Sequence, residues 1–310
     1  MSKIPKVLKL NNGFSIPTIG LGTYKSSPNE VKDAVEYAIS IGYRHIDTAK
    51  LYGNEKEIGD ALVNILKSGK VKRDDLFITT KLWNNFHQKN LVVPQIKESL
   101  KLLKLDYIDL YLIHWPFAFK EDAELLPTDS SAYSEVDYLE TWEGMEECVT
   151  QGLAKSIGLS NFNKQQIDRV LQNCKIKPVV NQIEVNPNLS QPELIKFCQD
   201  KCIVVTGFCP LERFGNSRDP NYPGPTAQDP KVIEIAKKYN KTAPQIILRY
   251  LLELGISVIP KSVNPTRIKE NFEITDFDLD CEEIEYLKSR NKGARVSAML
   301  QYKDHKYYPF

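Results

Sequence analysis

The chain has almost no net charge. Lys and Arg number 41 against 40 Asp and Glu, a formal charge of +1. The electrostatic footprint of a nucleic-acid or anionic-membrane binder is therefore missing, and any anion site must be local. No apolar run approaches membrane-span length, and MSKIPKVLKL lacks the apolar stretch of a signal peptide. The six cysteines (Cys148, Cys174, Cys198, Cys202, Cys209, Cys281) form no CxxC pair. Cys198 and Cys202, four apart without nearby His, read as packing residues on a helix, so no metal is expected. Reduced thiols predict a cytosolic address, with a monomer as the expected assembly. Histidine is scarce, at four residues.

What the chain does have is rhythm. VLKLNNGFSIP reads as an N-terminal β-hairpin turned at Asn12-Gly13. Eight β-rich runs follow, at Thr18–Leu21, Arg44–Asp47, Leu76–Lys81, Tyr107–His114, Lys155–Leu159, Val179–Glu184, Ile203–Phe208 and Ser257–Pro260. Segments of helical spacing separate them, among them Asn29–Ser40, Leu91–Leu103, Tyr138–Gln151 and Gln191–Lys201. Eight alternating strands predict an α/β fold of the (β/α)₈ TIM-barrel type, one domain over 1–310. Three stretches break the rhythm: Phe117–Val136, Leu211–Asp229 and Asn291–Phe310. The first two are long loops on the C-terminal face, where barrel enzymes build their sites.

Polar residues stand where the strands stop. Asp47 ends the second, Lys81 the third and His114 the fourth; Ser160-Asn161 follow the fifth, and Gln182 lies near the end of the sixth. Each alone has a plainer reading: Asp47 as a cap, Lys81 as a solvated strand end, Tyr52 as packing, His114 as a core histidine. Together they suit carbonyl reduction, in which hydride reaches carbon and a proton reaches oxygen. Tyrosine, with a pKa near 10, is a poor acid at neutral pH unless an ammonium favours its phenolate. Tyr52 is then the acid, Lys81 its tuner, Asp47 the partner of Lys81, and neutral His114 the group that orients the carbonyl. His45 lies inside its strand and reads as structural.

The run Gly42-Tyr43-Arg44-His45-Ile46-Asp47-Thr48-Ala49-Lys50-Leu51-Tyr52-Gly53-Asn54-Glu55 resembles the aldo-keto reductase signature bearing the Asp and Tyr. Leu105–Pro116 is similar to the segment bearing the family's His. Gly158-Leu159-Ser160-Asn161-Phe162, Asn181-Gln182-Ile183-Glu184 and Ile259-Pro260-Lys261-Ser262 match three more blocks, so the resemblance spans essentially the whole chain. It implies NADPH/NADP⁺ as cofactor and a small-molecule carbonyl as substrate.

A Rossmann site is excluded, because Gly20-Leu21-Gly22-Thr23-Tyr24-Lys25 has Lys25 where the third glycine belongs. The resemblance instead implies a nicotinamide across the barrel mouth, with Gly22, Thr23, Tyr24 and Asp47 at its edge. Ser160, Asn161 and Gln182 would hold its carboxamide, and an aromatic at the seventh strand end would stack on the ring. There the family's Tyr-Ser-Pro-Leu-Gly-Ser run is Phe208-Cys209-Pro210-Leu211-Glu212-Arg213. Phe208 keeps a ring face, whereas Cys209, Glu212 and Arg213 imply an altered grip on the phosphates, beside Leu211. Lys261, Ser262, Val263 and Asn264 lead into a helix bearing Arg267. Two cations, a hydroxyl and a helix N-terminus make a pocket for the 2′-phosphate, with Glu270 and Asn271 at the adenine. The plainer reading makes Arg267 and Glu270 an exposed helix pair.

Candidate substrate walls are Tyr24, Leu51, Trp83, His114, Trp115, Phe117, Leu126, Phe214 and Tyr302, with the rest of the aromatic tail. Such walls suit hydrophobic carbonyls; the resemblance to insect-type members implies 3-dehydroecdysteroid-like ketones or long-chain aldehydes. Two other classes compete. A non-catalytic cofactor-binding subunit or crystallin-like protein would use the same fold, and a barrel isomerase would use Lys81 and Asp47 but leave the Lys261–Arg267 run without a purpose.

Overall fold

The β-branched and aliphatic runs become eight short parallel strands: β1 (Leu21–Gly22), β2 (His45–Asp47), β3 (Phe77–Leu82), β4 (Leu110–Ile113), β5 (Ile157–Ser160), β6 (Val180–Glu184), β7 (Val204–Phe208) and β8 (Ser257–Val258). This computed structural model describes residues 4–212 and 222–310. The strands pair in chain order. Parallel bridges Ile19–Val258 and Gly22–Lys261 join the first strand to the last, and the Gly20 and Gly22 amides donate to Val258 and Pro260 carbonyls at 2.9 and 3.1 Å. The sheet is thus a closed barrel, as the strand count implies. Gly22 is required at this seam, because a Cβ there would lie 2.7 Å from the Ile259 carbonyl oxygen.

Helices wrap the outside: α1 (Pro28–Ser40), α2 (Glu55–Lys67), α3 (Lys89–Leu103), α4 (Tyr138–Thr150), α5 (Lys164–Asn173), α6 (Pro192–Asp200), α7 (Pro230–Lys238), α8 (Ala243–Glu253), α9 (Pro265–Phe272) and α10 (Cys281–Ser289). Their spacing explains the wrapping. In α2, Ile58, Ala61 and Leu62 fall on one face and are buried. Side-chain caps start several of them, such as Asn163 with Gln166 on α5 and Asp280 with Glu283 on α10.

Most strands are shorter than their runs, the first, fourth and eighth by half. Thr18 joins two parts of the fold: its amide donates to the Lys6 carbonyl beside the hairpin, and its carbonyl accepts the Val258 amide of β8. Tyr107, expected in β4, faces outward with Arg73 and Lys155 over its ring at 4.0 and 3.9 Å.

The hairpin (Val7–Lys9 paired with Ser15–Pro17) forms where expected, with Gly13 at φ 91° in its turn. It closes the base of the barrel: Leu10 and Ile16 pack on Phe77, Leu110, Leu112, Val179 and Val180. At the other end, the loop after β4 is not wholly irregular, since Ala118–Phe119 pairs with Tyr133–Ser134. The tail contains one 3₁₀ turn, Leu300–Tyr302, and runs on to Phe310.

Candidate active site

The strand exits converge on one buried line of polar groups. Lys81 Nζ, at the end of β3, donates to Asp47 Oδ1 at 2.6 Å, to the Thr48 carbonyl at 2.9 Å and to Tyr52 Oη at 3.3 Å. Gln182 Nε2 on β6 donates to the other oxygen of Asp47 at 2.7 Å. Both members of the ion pair are essentially inaccessible, with side-chain exposures of 0% and 2%. Burial pushes Lys81 below the ordinary lysine range while Asp47 opposes the shift. The hydrogen bonds that each charge makes favour the ionised pair, against the burial that lowers the pKa of Lys81 and raises that of Asp47.

Tyr52 reaches this line from a 3₁₀ turn, Lys50–Tyr52, closed by left-handed Gly53. A web of short bonds fixes the turn. Thr48 Oγ1 donates to Asn54 Oδ1, Asn54 Nδ2 to the Thr23 carbonyl, and Thr23 Oγ1 to the Asp47 carbonyl, at 3.0, 3.0 and 2.9 Å. The Tyr52 ring lies 5.8 Å from the His114 ring and 5.0 Å from Tyr24. His114 is buried, and burial followed by the charge of Lys81 holds its pKa well below 6.5. A neutral imidazole results, the form that orienting a carbonyl requires. His45, by contrast, sits inside the barrel against Thr79 Oγ1 at 3.0 Å.

These residues open into a cleft of about 440 Å³. Of the residues expected at the cofactor, Gly22, Thr23, Tyr24, Asp47, Ser160, Asn161, Gln182, Phe208, Cys209, Leu211 and Lys261 line it. Asn161 is held at φ 63°, its Nδ2 donating to the His114 carbonyl at 2.9 Å. Its Oδ1 is buried with no protein partner. A buried acceptor of this kind calls for a donor, and a nicotinamide carboxamide has one. Ser262, Val263 and Asn264 follow Lys261 into α9, where Asn264 Oδ1 accepts the Arg267 amide at 3.1 Å. Burial, and then the charge of Arg267, lower the pKa of Lys261 despite Glu30. An anion between the two cations would relieve that repulsion. Glu270 and Asn271 lie further along the same helix. The donor set therefore fits a nicotinamide dinucleotide.

Glu212 also lines the cleft, and neighbouring side chains hold it in place. Its carboxylate accepts from Asn188 Nδ2 (3.0 Å), Tyr222 Oη (2.5 Å) and Thr226 Oγ1 (2.6 Å), so it ties down the loop at Tyr222–Thr226. Arg213 lies outside the described residues.

The expected substrate walls divide. Tyr24, Leu51, His114 and Trp115 line the cleft. Trp83, Phe117 and Tyr302 form the buried aromatic layer with Trp115 and Phe119, and Trp83 Nε1 donates to the Leu125 carbonyl at 2.7 Å. Leu126 is 49% exposed, and Phe214 lies outside the described residues. The expectations did not include Lys25, Ile259, Ser297 and Met299, which the cleft also meets. Each had a sequence cue that stopped short of naming it: Lys25 stands next to Tyr24, Ile259 falls in the Ile259–Ser262 block, and Ser297 and Met299 fall in the Asn291–Phe310 stretch.

Residues 18–292 match the model of the aldo/keto reductase family. Over 98% of both chains, the protein is 44% identical to aldo-keto reductase family 1 member A1-A of Danio rerio. It superposes on the aldose reductase of Schistosoma japonicum with a TM-score of 0.92 at 46% identity, over 99% of each chain. It superposes equally well, at 43% identity and over the full length of both chains, on a Bombyx mori aldo-keto reductase in complex with NADP. The chain belongs to the aldo/keto reductase family, whose members are NADP-dependent oxidoreductases.

Proposed function

We propose that the chain reduces hydrophobic aldehydes or ketones to alcohols with NADPH, with Tyr52 as general acid. When bound, the cofactor supplies hydride to the carbonyl carbon. Tyr52 Oη gives the proton to the oxygen, and the Lys81 ammonium, 3.3 Å away, stabilises the phenolate left behind. Asp47 keeps Lys81 charged and aimed. Neutral His114 donates to the carbonyl oxygen and sets its angle. Ser160, Asn161 and Gln182 hold the carboxamide, Phe208 stacks on the ring, and Lys261 with Arg267 holds the 2′-phosphate. The observation that carries this reading is the closed line Asp47–Lys81–Tyr52 at the mouth of the cleft.

The apolar side of the cleft, Leu51, Trp115 and Met299, suits bulky ketones such as 3-dehydroecdysteroids or long-chain aldehydes. Residues 1–310 act as one domain. The six unpaired cysteines support the cytosol as the working compartment of a proposed monomer, and no helix among the described residues is long and apolar enough to cross a membrane. The complete acid line weighs against a non-catalytic, crystallin-like role. Tyr52→Phe tests the proposal: carbonyl reduction should fall by about 10²–10⁴-fold while NADPH binding, followed by fluorescence, stays nearly unchanged. Turnover near wild type would remove Tyr52 from the chemistry.

A further inference from the structure

Two residues beyond Gln182 on β6 stands Glu184, a fully buried carboxylate that the chemistry above does not use. Side chains two apart on a strand face the same side, so Gln182 and Glu184 share a face. Gln182 reaches the Asp47–Lys81 pair. Glu184 reaches the C-terminal segment: its Oε1 accepts the Val296 amide and its Oε2 the Ser297 amide, each at 2.9 Å. The next turn of that segment brings Ser297 and Met299 into the cleft. Met299 is held at φ 48°, a left-handed conformation that a non-glycine residue keeps only where its flanks are fixed. Glu184 fixes one flank, and Tyr308 Oη, donating to the Ala298 carbonyl at 2.5 Å, fixes the other.

A second connection runs from the same place. Arg295 precedes the two anchored amides, and its guanidinium lies 3.5 Å from the centre of the Phe310 ring. Phe310 in turn meets the Trp115 ring edge-on at 5.8 Å, and Trp115 lines the cleft. Both apolar walls thus depend on where residues 295–297 sit.

We infer that Glu184 is a positioning residue for substrate specificity, holding the Ser297–Met299 wall through two backbone amides and backing Trp115 through Arg295 and Phe310. The inference rests on the carbonyl-reductase reading. A small carbonyl needs only the oxygen-binding groups, which Glu184 does not touch. A bulky ketone must also fill the space these walls define, and each apolar contact discriminates only modestly, so their placement matters.

Glu184→Gln keeps the volume but presents an NH₂ group to one of the two backbone donors. In the NADPH-loaded full chain, kcat/KM for a bulky hydrophobic ketone should fall at least about tenfold relative to 4-nitrobenzaldehyde. NADPH affinity should stay nearly unchanged. Amide exchange, followed by mass spectrometry, should accelerate in the peptide covering 295–301. An equal loss on both carbonyls, or unchanged exchange there, would overturn the inference. If circular dichroism shows Glu184→Gln to be unfolded, Phe310→Ala, at a half-exposed ring, replaces it. Loss of discrimination then supports the second connection, and unchanged discrimination overturns it. A wild-type chain inactive on every carbonyl would sink the functional reading instead, while the exchange measurement would still test the anchor.

Discussion

The two ends of the barrel use the same strands and present opposite chemistry. Along β3 the inward-facing column runs Phe77, Thr79, Lys81; beyond β4 it runs Leu110, Leu112, His114; along β6 it runs Val180, Gln182, Glu184. At the base, Phe77, Leu110, Leu112 and Val180 pack with Leu10 and Ile16 of the hairpin into a wholly apolar plug. Only two to four residues further along, the columns end in an ammonium, an imidazole and a carboxylate. The base has no charge to solvate and can exclude water fully. The rim buries charge, which is tolerable only because Asp47, Lys81 and Gln182 satisfy one another. A barrel thus separates stability from chemistry along single strands.

The sharpest way to break this division is at the rim. Lys81→Met leaves Asp47 buried beside a lost cation and should cost about 3–5 kcal/mol of stability. Turnover should drop by about 10²–10⁴-fold as Tyr52 loses its tuner. Adding Asp47→Asn should restore much of the unfolding midpoint but none of the rate. Restoration of both would show that the pair serves only structure. Leu112→Ala is the matching cut at the base. It should lower stability by about 2–5 kcal/mol through a cavity, with kcat unchanged at temperatures where the protein stays folded. A rate loss there comparable to that of Lys81→Met would erase the distinction.

How far the sequence reaches follows the same line. The strand count, the hairpin and the polar strand exits at Asp47, Lys81 and His114 were legible, because strand register and barrel closure put those positions at one mouth whatever the loops do. Aromatic walls were legible in kind but not in place. Nothing in residue type distinguishes Trp115, at the cleft surface, from Trp83, Phe117 and Tyr302 in the layer behind it. The Asn291–Phe310 stretch was legible as a segment, but Ser297 and Met299 could not be singled out within it, because the backbone before them is held by Glu184, more than a hundred residues earlier. Glu212 read as a charge set beside phosphates; it does line the cleft, and three neighbouring side chains engage it, which the sequence did not reveal. Such a satisfied carboxylate cannot be told from an unsatisfied one by composition.

A gentler test concerns the outer edge of the rim, where Lys261 and Arg267 flank the start of α9. Neutral residues at both positions should weaken NADPH by about 1.5–3 kcal/mol, the range for hydrogen bonds to a charged group. NADH, lacking the 2′-phosphate, should bind almost as before, and the fold should be untouched because neither side chain is part of the core. Equal weakening of the two cofactors in a fluorescence titration would show that these cations do not read the phosphate.

The effect smallest at neutral pH compares two histidines, one in each half of the barrel. His45, inside the lower half, has its pKa lowered to about 3 by burial and by Lys81. His114, at the rim, is also held well below 6.5, chiefly by burial. In the unfolded chain both take up a proton near pH 6.5, so below that pH the unfolded state binds more protons and stability falls with acidification. Removing the titration of His45, as in His45→Gln, should flatten that fall by about 1.4 kcal/mol per pH unit between roughly pH 6 and 4. The raised carboxylates Asp47, Glu55 and Asp109 act in the opposite sense, and they cancel in the comparison with wild type. For catalysis the two histidines part company. His114 stays neutral while the protein is folded, so kcat/KM should show no inflection near pH 6.5 either in wild type or in His45→Gln. An inflection there that His45→Gln leaves in place would mean that His114 protonates in the working range, and its role as a neutral orienter would fall.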